Sequence, residues 1–306
     1  METYQLADCA LVSDIEFPEL DVAFTNETNI RLKQLPDSKI FFGVAWERDI
    51  HRTNIEVFAS LAYLASKHLI RVHGIADFSM DYANAEIAFH VSDHVPIDTL
   101  RHLILDQILP FFFHQWRYSA FHASAVQFKD HAIAFLGDSG SGKSTLAAML
   151  VQKGLRFITD DCLLLEKTAN GFICYPYYPN MRLWEDSYQQ VDTRSAEVLA
   201  PLAQKKRLKP KVSFSYDPLP IKKIFVMSKE VPVTASPKLE KLSPSNAFMS
   251  LARYSFLWDY SDRDKVNRDV EIAAYAADNV DLYSLAFPRH FELMDTVISE
   301  ILHYAE

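Results

Sequence analysis

Within eight consecutive positions the sequence places three glycines, a lysine and a closing hydroxyl: Gly137-Asp138-Ser139-Gly140-Ser141-Gly142-Lys143-Ser144. Phosphate chains need many hydrogen-bond donors in a small concave space. Successive backbone N–H groups supply them where the chain curls tightly without Cβ clashes. The chain has seven glycines in 306 residues, so three in one octet reflect a local requirement rather than composition. In a loop of this pattern Lys143 reaches the β- and γ-phosphates of a nucleoside triphosphate and the Ser144 hydroxyl ligates Mg²⁺. The helix that continues through Thr145 turns its positive dipole end toward the anion. The bland alternative is a glycine-rich turn from strand to helix that binds nothing. Phosphoryl transfer from ATP with Mg²⁺ is the chemistry the full pattern predicts.

Such transfer also needs carboxylates, one for the metal and one to receive the acceptor's hydroxyl proton. Asp160 and Asp161 follow the apolar segment Leu155-Arg156-Phe157-Ile158-Thr159, one helix and one strand beyond the loop. Adjacent residues at a strand end point in different directions, so the two acids can divide these tasks. As a plain pair of acids they also fit a solvated turn. Arg182 offers a planar, permanently charged guanidinium suited to charge on a transferring group. It fits a surface salt bridge equally well. The basic run Lys205-Lys206-Arg207, continued by Lys209-Pro210-Lys211, reads either as a solvated face or as a patch that closes over nucleotide or attracts an acidic peptide.

These groups need a frame of strands and helices. From Ser119 the pattern predicts a strand over Ala123-Phe128, a turn at Lys129-Asp130-His131 with His131 solvated, and a strand over Ala132-Leu136. The loop follows, then a helix to Lys153, Gly154 as its left-handed terminator, and a strand over Leu155-Thr159. This is a βαβ-type unit with the loop between its first strand and its helix. Upstream, strands are expected near Lys39-Ala45, Leu69-Ile75 and Ala85-Val91, and a helix around Glu56-Lys67. Pro96 opens an amphipathic helix carrying Ile97, Leu100, Leu103, Ile104, Ile108 and Leu109. The chain thus divides into an α/β accessory segment, 1–115, and a catalytic α/β domain, 116–306.

Composition narrows the class. An apolar fraction of 49% with 23% charged residues is that of a globular protein, and the length allows two domains. A formal net charge of −9 makes duplex nucleic acid a poor partner. Cys9, Cys162 and Cys174 are odd in number and lack metal-ligand spacing, so reduced thiols are expected. The first residues carry acids and no basic segment ahead of an apolar stretch, and Leu103 to Phe113 is far short of a membrane span. A soluble, cytoplasmic protein with no membrane partner is the expectation, with monomer and homo-oligomer both open.

His122-Ala123-Ser124-Ala125-Val126, the loop, Leu150-Val151-Gln152-Lys153-Gly154 and Asp160-Asp161 together resemble the catalytic domain of HPr kinase/phosphorylase and its relatives in lasso-type ribosomal peptide clusters. The segments Phe248 to Arg253 and Leu282 to Arg289 are similar to those peptide-cluster relatives. The resemblance implies a P-loop kinase domain of the HPr kinase/PEP carboxykinase-like type. It implies that Asp160 is the base for a serine hydroxyl, that Asp161 joins Ser144 in holding Mg²⁺, and that His122 lies near the transferring phosphate. The Glu-Arg-Gly-containing signature of HPr kinases proper is absent. Tyr178-Pro179-Asn180-Met181-Arg182-Leu183-Trp184 stands in that region, so the acceptor implied is a serine of a lasso-type precursor peptide rather than HPr. The alternatives are a nucleotide-dependent regulator or hydrolase without an acceptor, and a kinase for HPr or a small-molecule hydroxyl. Arg253 and Arg289 have only the family pattern behind them.

Overall fold

Alternation along the strand His131–Leu136 decides how the chemistry is mounted. Ala132, Ala134 and Leu136 pack into one core, whereas Ile133 and Phe135 pack into another on the opposite face. A strand buried on both faces belongs at the centre of a layered α/β fold. The computed structural model describes residues 2–24, 29–51, 57–64, 67–191, 196–202, 205–210, 214–228, 231–232, 234–256 and 262–306. Glu56, Ala65 and Ser66 of the expected helix, and Lys211 of the basic run, lie outside them.

The chain is mixed α/β with several sheets and forms two compact units, Met1–Trp116 and Arg117–Glu306. In the first, nine strands form one sheet. Its order is Asp21–Val22, Glu2–Leu6, Cys9–Ser13, Asn29–Gln34, Glu86–Val91, Ala76–Asp81, Lys67–Val72, Val57–Leu64 and Arg48–His51.

Two expectations fail here. The segment Val57–Leu64 is a strand, not a helix, because it pairs antiparallel with both Arg48–His51 and Lys67–Val72. A short apolar run carries no helical period of its own, so its neighbours decide. The expected strand at Lys39-Ala45 is instead a single 3₁₀ turn, Lys39–Phe41. The Asp37 side chain accepts from the Lys39 N–H at 3.1 Å and gives the backbone a competing local bond. The helix after Pro96 forms as Ile97–Leu103 and Leu109–Trp116, joined by a π-type turn at Ile104–Ile108. Pro110 lacks an N–H and crowds the carbonyl four residues back, which accounts for the widened turn ahead of it.

The second unit holds a sheet ordered Ser119–Phe121, Leu163–Thr168, Gly171–Tyr175, Leu219–Met227, His131–Leu136, Ala123–Phe128 and Arg156–Thr159. Asp281–Ala286 also pairs with Leu219–Met227, and Lys238–Lys241 pairs with Asp281–Ala286. Helices Pro244–Arg253 and Arg263–Asn279 cover one face through Ala247, Leu251, Ala273 and Ala276. Helices Lys143–Gln152 and Met294–Ala305 cover the other through Leu146, Leu150, Val297 and Ile301. The predicted strand–loop–helix–strand order is present, with one addition. Both His131–Leu136 and Arg156–Thr159 run antiparallel to Ala123–Phe128, which therefore lies between two mutually parallel strands. Gly154 ends the helix at φ +97°, as its position predicts. His131 is the exception. It begins the central strand rather than standing in solvent, it is buried, and its Nε2 lies 3.2 Å from the Ala305 carbonyl.

A third, smaller sheet orders Met181–Trp184, Lys205–Pro210 and Ala196–Leu202. It packs on Ala148 and Phe157 through Met181, Leu183 and Leu208.

Phe225, on the central parallel strand, is fully buried, with its ring 5.7 Å from Phe135 and 6.0 Å from Tyr283. Phe225→Ala is expected to destabilise by about 3–5 kcal/mol in denaturant unfolding. Exposed Phe42→Ala should stay within about 0.5 kcal/mol of the parent.

Candidate active site

The central strand ends at Leu136 and the chain turns at once into the loop. Gly140 and Gly142 take φ of +78° and +96°, a region open to glycine at little cost. Gly137 is required by space instead. A Cβ there would lie 2.7 Å from Ser141 Oγ and 2.8 Å from Met227 Cβ. The loop folds on itself through Ser141 N–H to Asp138 O at 3.1 Å, and the helix begins at Lys143. The first N–H groups of a helix have no acceptor inside it, so they remain available to an anion. Ser141 Oγ is buried without a hydrogen-bond partner, a further donor turned into the loop.

Lys143 is buried, and its Nζ donates to the carbonyls of Gly137 at 2.7 Å and Asp138 at 3.0 Å. Burial lowers its pKa, against the opposing pull of the Asp161 and Asp160 charges. A cation held on loop carbonyls is one that phosphate oxygens can capture.

Alternation on Ala123–Phe128 turns Ser124 away from the face that carries Ala123 and Ala125, and Ser124 donates to Asp160 Oδ1 at 2.5 Å. The Ser144 hydroxyl donates to that same oxygen at 2.8 Å, and the Arg182 N–H donates to Asp160 Oδ2 at 3.0 Å. Asp161, at φ +64°, turns the other way. Its Oδ2 accepts from Arg182 Nε at 2.8 Å and also from Arg182 Nη2, while His122 Nε2 lies 3.6 Å from Oδ1. His122 also places Nδ1 3.2 Å from the Asp161 carbonyl.

The two acids are shifted in opposite directions. Burial and the neighbouring Asp161 charge push the Asp160 carboxyl up, outweighing its hydrogen bonds. Burial disfavours the Asp161 anion too, but the charges of Arg182, His122 and Lys205 and the Arg182 hydrogen bond hold its carboxyl well below the ordinary range. Burial lowers the pKa of His122, against the attraction of Asp161. The surroundings therefore favour the anion at Asp161 and disfavour it at Asp160.

Eight of the predicted residues line one channel. Ser139, Gly140, Gly142, Lys143, Ser144, Thr145, Asp161 and Arg182 line it together with Trp184 and Lys205. Asp160 lies one layer behind, and Asp138 faces a neighbouring groove. Arg182 is not a surface salt bridge, since both it and Asp161 are largely buried. Of the basic run, Lys205 reaches the channel, Lys206 pairs with Glu185 at 3.4 Å, and Arg207 is buried rather than solvated. Sequence reasoning left out two arginines that the fold brings to the loop. Arg253 Nη2 donates to both Asp138 carboxylate oxygens at 2.9 Å, and Arg289 Nη1 donates to Gly140 O at 3.2 Å. Their signal is long-range: Arg253 ends the helix Pro244–Arg253, and Arg289 lies three residues beyond the strand Asp281–Ala286.

Among the described residues no group of three or more His, Cys, Asp or Glu could hold a metal ion alone. Mg²⁺ keeps several waters and takes one or two carboxylates plus substrate phosphates. The donors present are the Ser144 hydroxyl and the paired carboxylates, all oxygen. The three cysteines are buried free thiols, and among the described residues no helix is long and apolar enough to cross a membrane.

No known protein family and no curated protein matches this sequence. Among solved structures, the HPr(Ser) kinase/phosphatase from Coxiella burnetii is similar at 11% identity and a TM-score of 0.31, covering 61% of this chain and 90% of that one.

Removing one member of a buried ion pair leaves the other charge uncompensated. Arg182→Ala is expected to cost about 3–5 kcal/mol in denaturant unfolding. The double variant Arg182→Ala/Asp161→Asn should recover part of that loss.

Proposed function

We propose that this protein is an ATP-dependent phosphotransferase that phosphorylates a hydroxyl, with a serine of a lasso-type precursor peptide as its acceptor. The observation that carries the reading is the placement of two adjacent buried carboxylates beside the Lys143–Ser144 loop, Asp160 on the Ser144 hydroxyl and Asp161 on Arg182 at the channel wall. A nucleotide switch needs a metal carboxylate. A transferase needs in addition a group that takes a proton, and Asp160 has that character.

In this reading the loop N–H groups and Lys143 hold the phosphates. Ser144 and Asp161 hold Mg²⁺, which when bound neutralises charge on the β- and γ-phosphates. Asp160 accepts the hydroxyl proton as the acceptor oxygen bonds to the γ-phosphorus and the bond to the leaving nucleoside diphosphate breaks. Arg182 carries charge on the transferring group. His122 holds Asp161 in place. The acceptor approaches from the groove of 850 Å³ on the Asp138 flank, lined also by Asn246, Met249 and Arg253. That volume falls in the range of roughly 300–1,000 Å³ typical of ligand sites.

The Ser144–Asp160 bond favours a second division of labour, in which Asp160 serves the metal and Asp161, on the channel wall, serves the acceptor. Both versions are phosphoryl transfer, and two variants separate them. With γ-labelled ATP, Mg²⁺ and precursor peptides from neighbouring genes, the parent should label a serine. Asp160→Asn should lower kcat by about 10²–10⁴-fold and leave Mg²⁺-dependent nucleotide binding intact. Asp161→Asn should weaken that binding. The reverse pattern exchanges the two roles. Robust hydrolysis with no label on peptide, HPr or small-molecule hydroxyls would overturn transfer in favour of a hydrolase or regulator.

A further inference from the structure

The loop borders a second cavity, which shares Gly140 and Arg289 with the acceptor groove. It measures 140 Å³, and its floor is Gly142 and Thr145 at the start of the loop helix. Trp184, Phe287, Phe291 and Met294 give it an apolar wall. Phe287 and Met294 are buried, but Trp184 is 40% exposed, a large aromatic face left partly open beside a phosphate-type loop. The volume is below the roughly 300–1,000 Å³ of whole small-molecule sites, so it admits one ring system rather than a nucleotide.

Gly140, Gly142, Thr145 and Trp184 line both this cavity and the channel that contains Lys143, Ser144 and Asp161, so a triphosphate with its γ end against Lys143 and Asp161 can point its other end into the cavity. Whatever is attached to the α-phosphate therefore enters beside Trp184. Lys205 lies against that ring. It pairs with Trp184 across two strands, and its Nζ stands 5.5 Å from the ring centroid. The cavity also holds one well-placed acceptor. Asp186 Oδ1 takes the Ser187 N–H at 2.7 Å, which leaves Oδ2 to receive a ring or exocyclic N–H.

Resting on the nucleotide reading of the loop, we propose that this cavity selects the donor: it takes a purine base, stacked on Trp184 with an N–H donated to Asp186. Backbone donors hold phosphates without reading a base, so a preference for nucleotide over inorganic triphosphate must come from here. An aromatic face next to an apolar wall favours the larger π-surface of a purine over a pyrimidine, and the Asp186 carboxylate favours bases that carry N–H donors.

The test is equilibrium binding of ATP, GTP, CTP and inorganic triphosphate, each with Mg²⁺, to the full chain and to Trp184→Ala and Trp184→Phe. Base–aromatic stacking corresponds to about a 5- to 150-fold change in affinity. The parent should bind the better purine nucleotide at least about tenfold more tightly than inorganic triphosphate and CTP. Trp184→Ala should bring the purine nucleotides down to the affinity of CTP and inorganic triphosphate, while Trp184→Phe should keep most of the advantage. Equal binding of ATP, GTP and inorganic triphosphate by the parent would overturn the cavity's role and leave the loop reading standing. CTP binding as tight as the purines would overturn the purine assignment. Equal weakening of all ligands in Trp184→Ala would show a structural tryptophan only. Failure of every triphosphate to bind would overturn the loop reading together with this one.

Discussion

Two carboxylates on consecutive residues, both buried, repel each other, and the surroundings of the loop are arranged around keeping them apart in charge. The separation is made by direction. The strand ending at Thr159 delivers Asp160 inward to two serine hydroxyls and a backbone N–H, and the left-handed turn at Asp161 sends the second carboxylate to Arg182 and His122. Arg182 serves both acids, through its N–H on one and its guanidinium on the other. That explains why the small sheet holding Met181–Trp184 must pack tightly on the loop helix and on Phe157.

The same sheet ties the acids to the donor side. Its register sets Arg182 opposite Arg207 and Trp184 opposite Lys205, so one edge presents a guanidinium, an indole and an ammonium along the channel. In a chain of net charge −9, Lys143, Arg182, Lys205, Arg253 and Arg289 all reach the loop or its flanks. A local cationic focus in an acidic protein draws a compact polyanion more readily than a duplex.

Much of this was legible in the sequence because it is local. The loop glycines, the terminator Gly154, the strand before the loop and the strand after it are fixed by conformational needs within a few residues of each, and the structure has them at those positions. His122, Asp160, Asp161 and Arg182 lie within hydrogen-bonding or ion-pair distance of one another, and the Arg182 contact joins segments that no local pattern links. What was illegible is non-local. Ala123–Phe128 inserts between the two parallel strands because of ladder partners on both sides, and no periodicity in six residues encodes that. Val57–Leu64 looked helical for the same reason. His131 read as a turn residue because its cover, the Ala305 end of the last helix, lies 174 positions away. Arg253 and Arg289 were unassignable until Pro244–Arg253 and the segment after Ala286 were seen to return to the loop.

The central claim is that the loop at Gly137–Ser144 is a working phosphate cradle and not a glycine-rich turn. Calorimetric titration of the full chain with ATP and Mg²⁺, set beside Lys143→Ala, tests it most directly. The account predicts saturable, Mg²⁺-dependent binding by the parent and a loss of about 10- to 100-fold in the variant, the worth of one charged hydrogen-bonding group. Absence of saturable binding, or equal affinity in parent and variant, would contradict it.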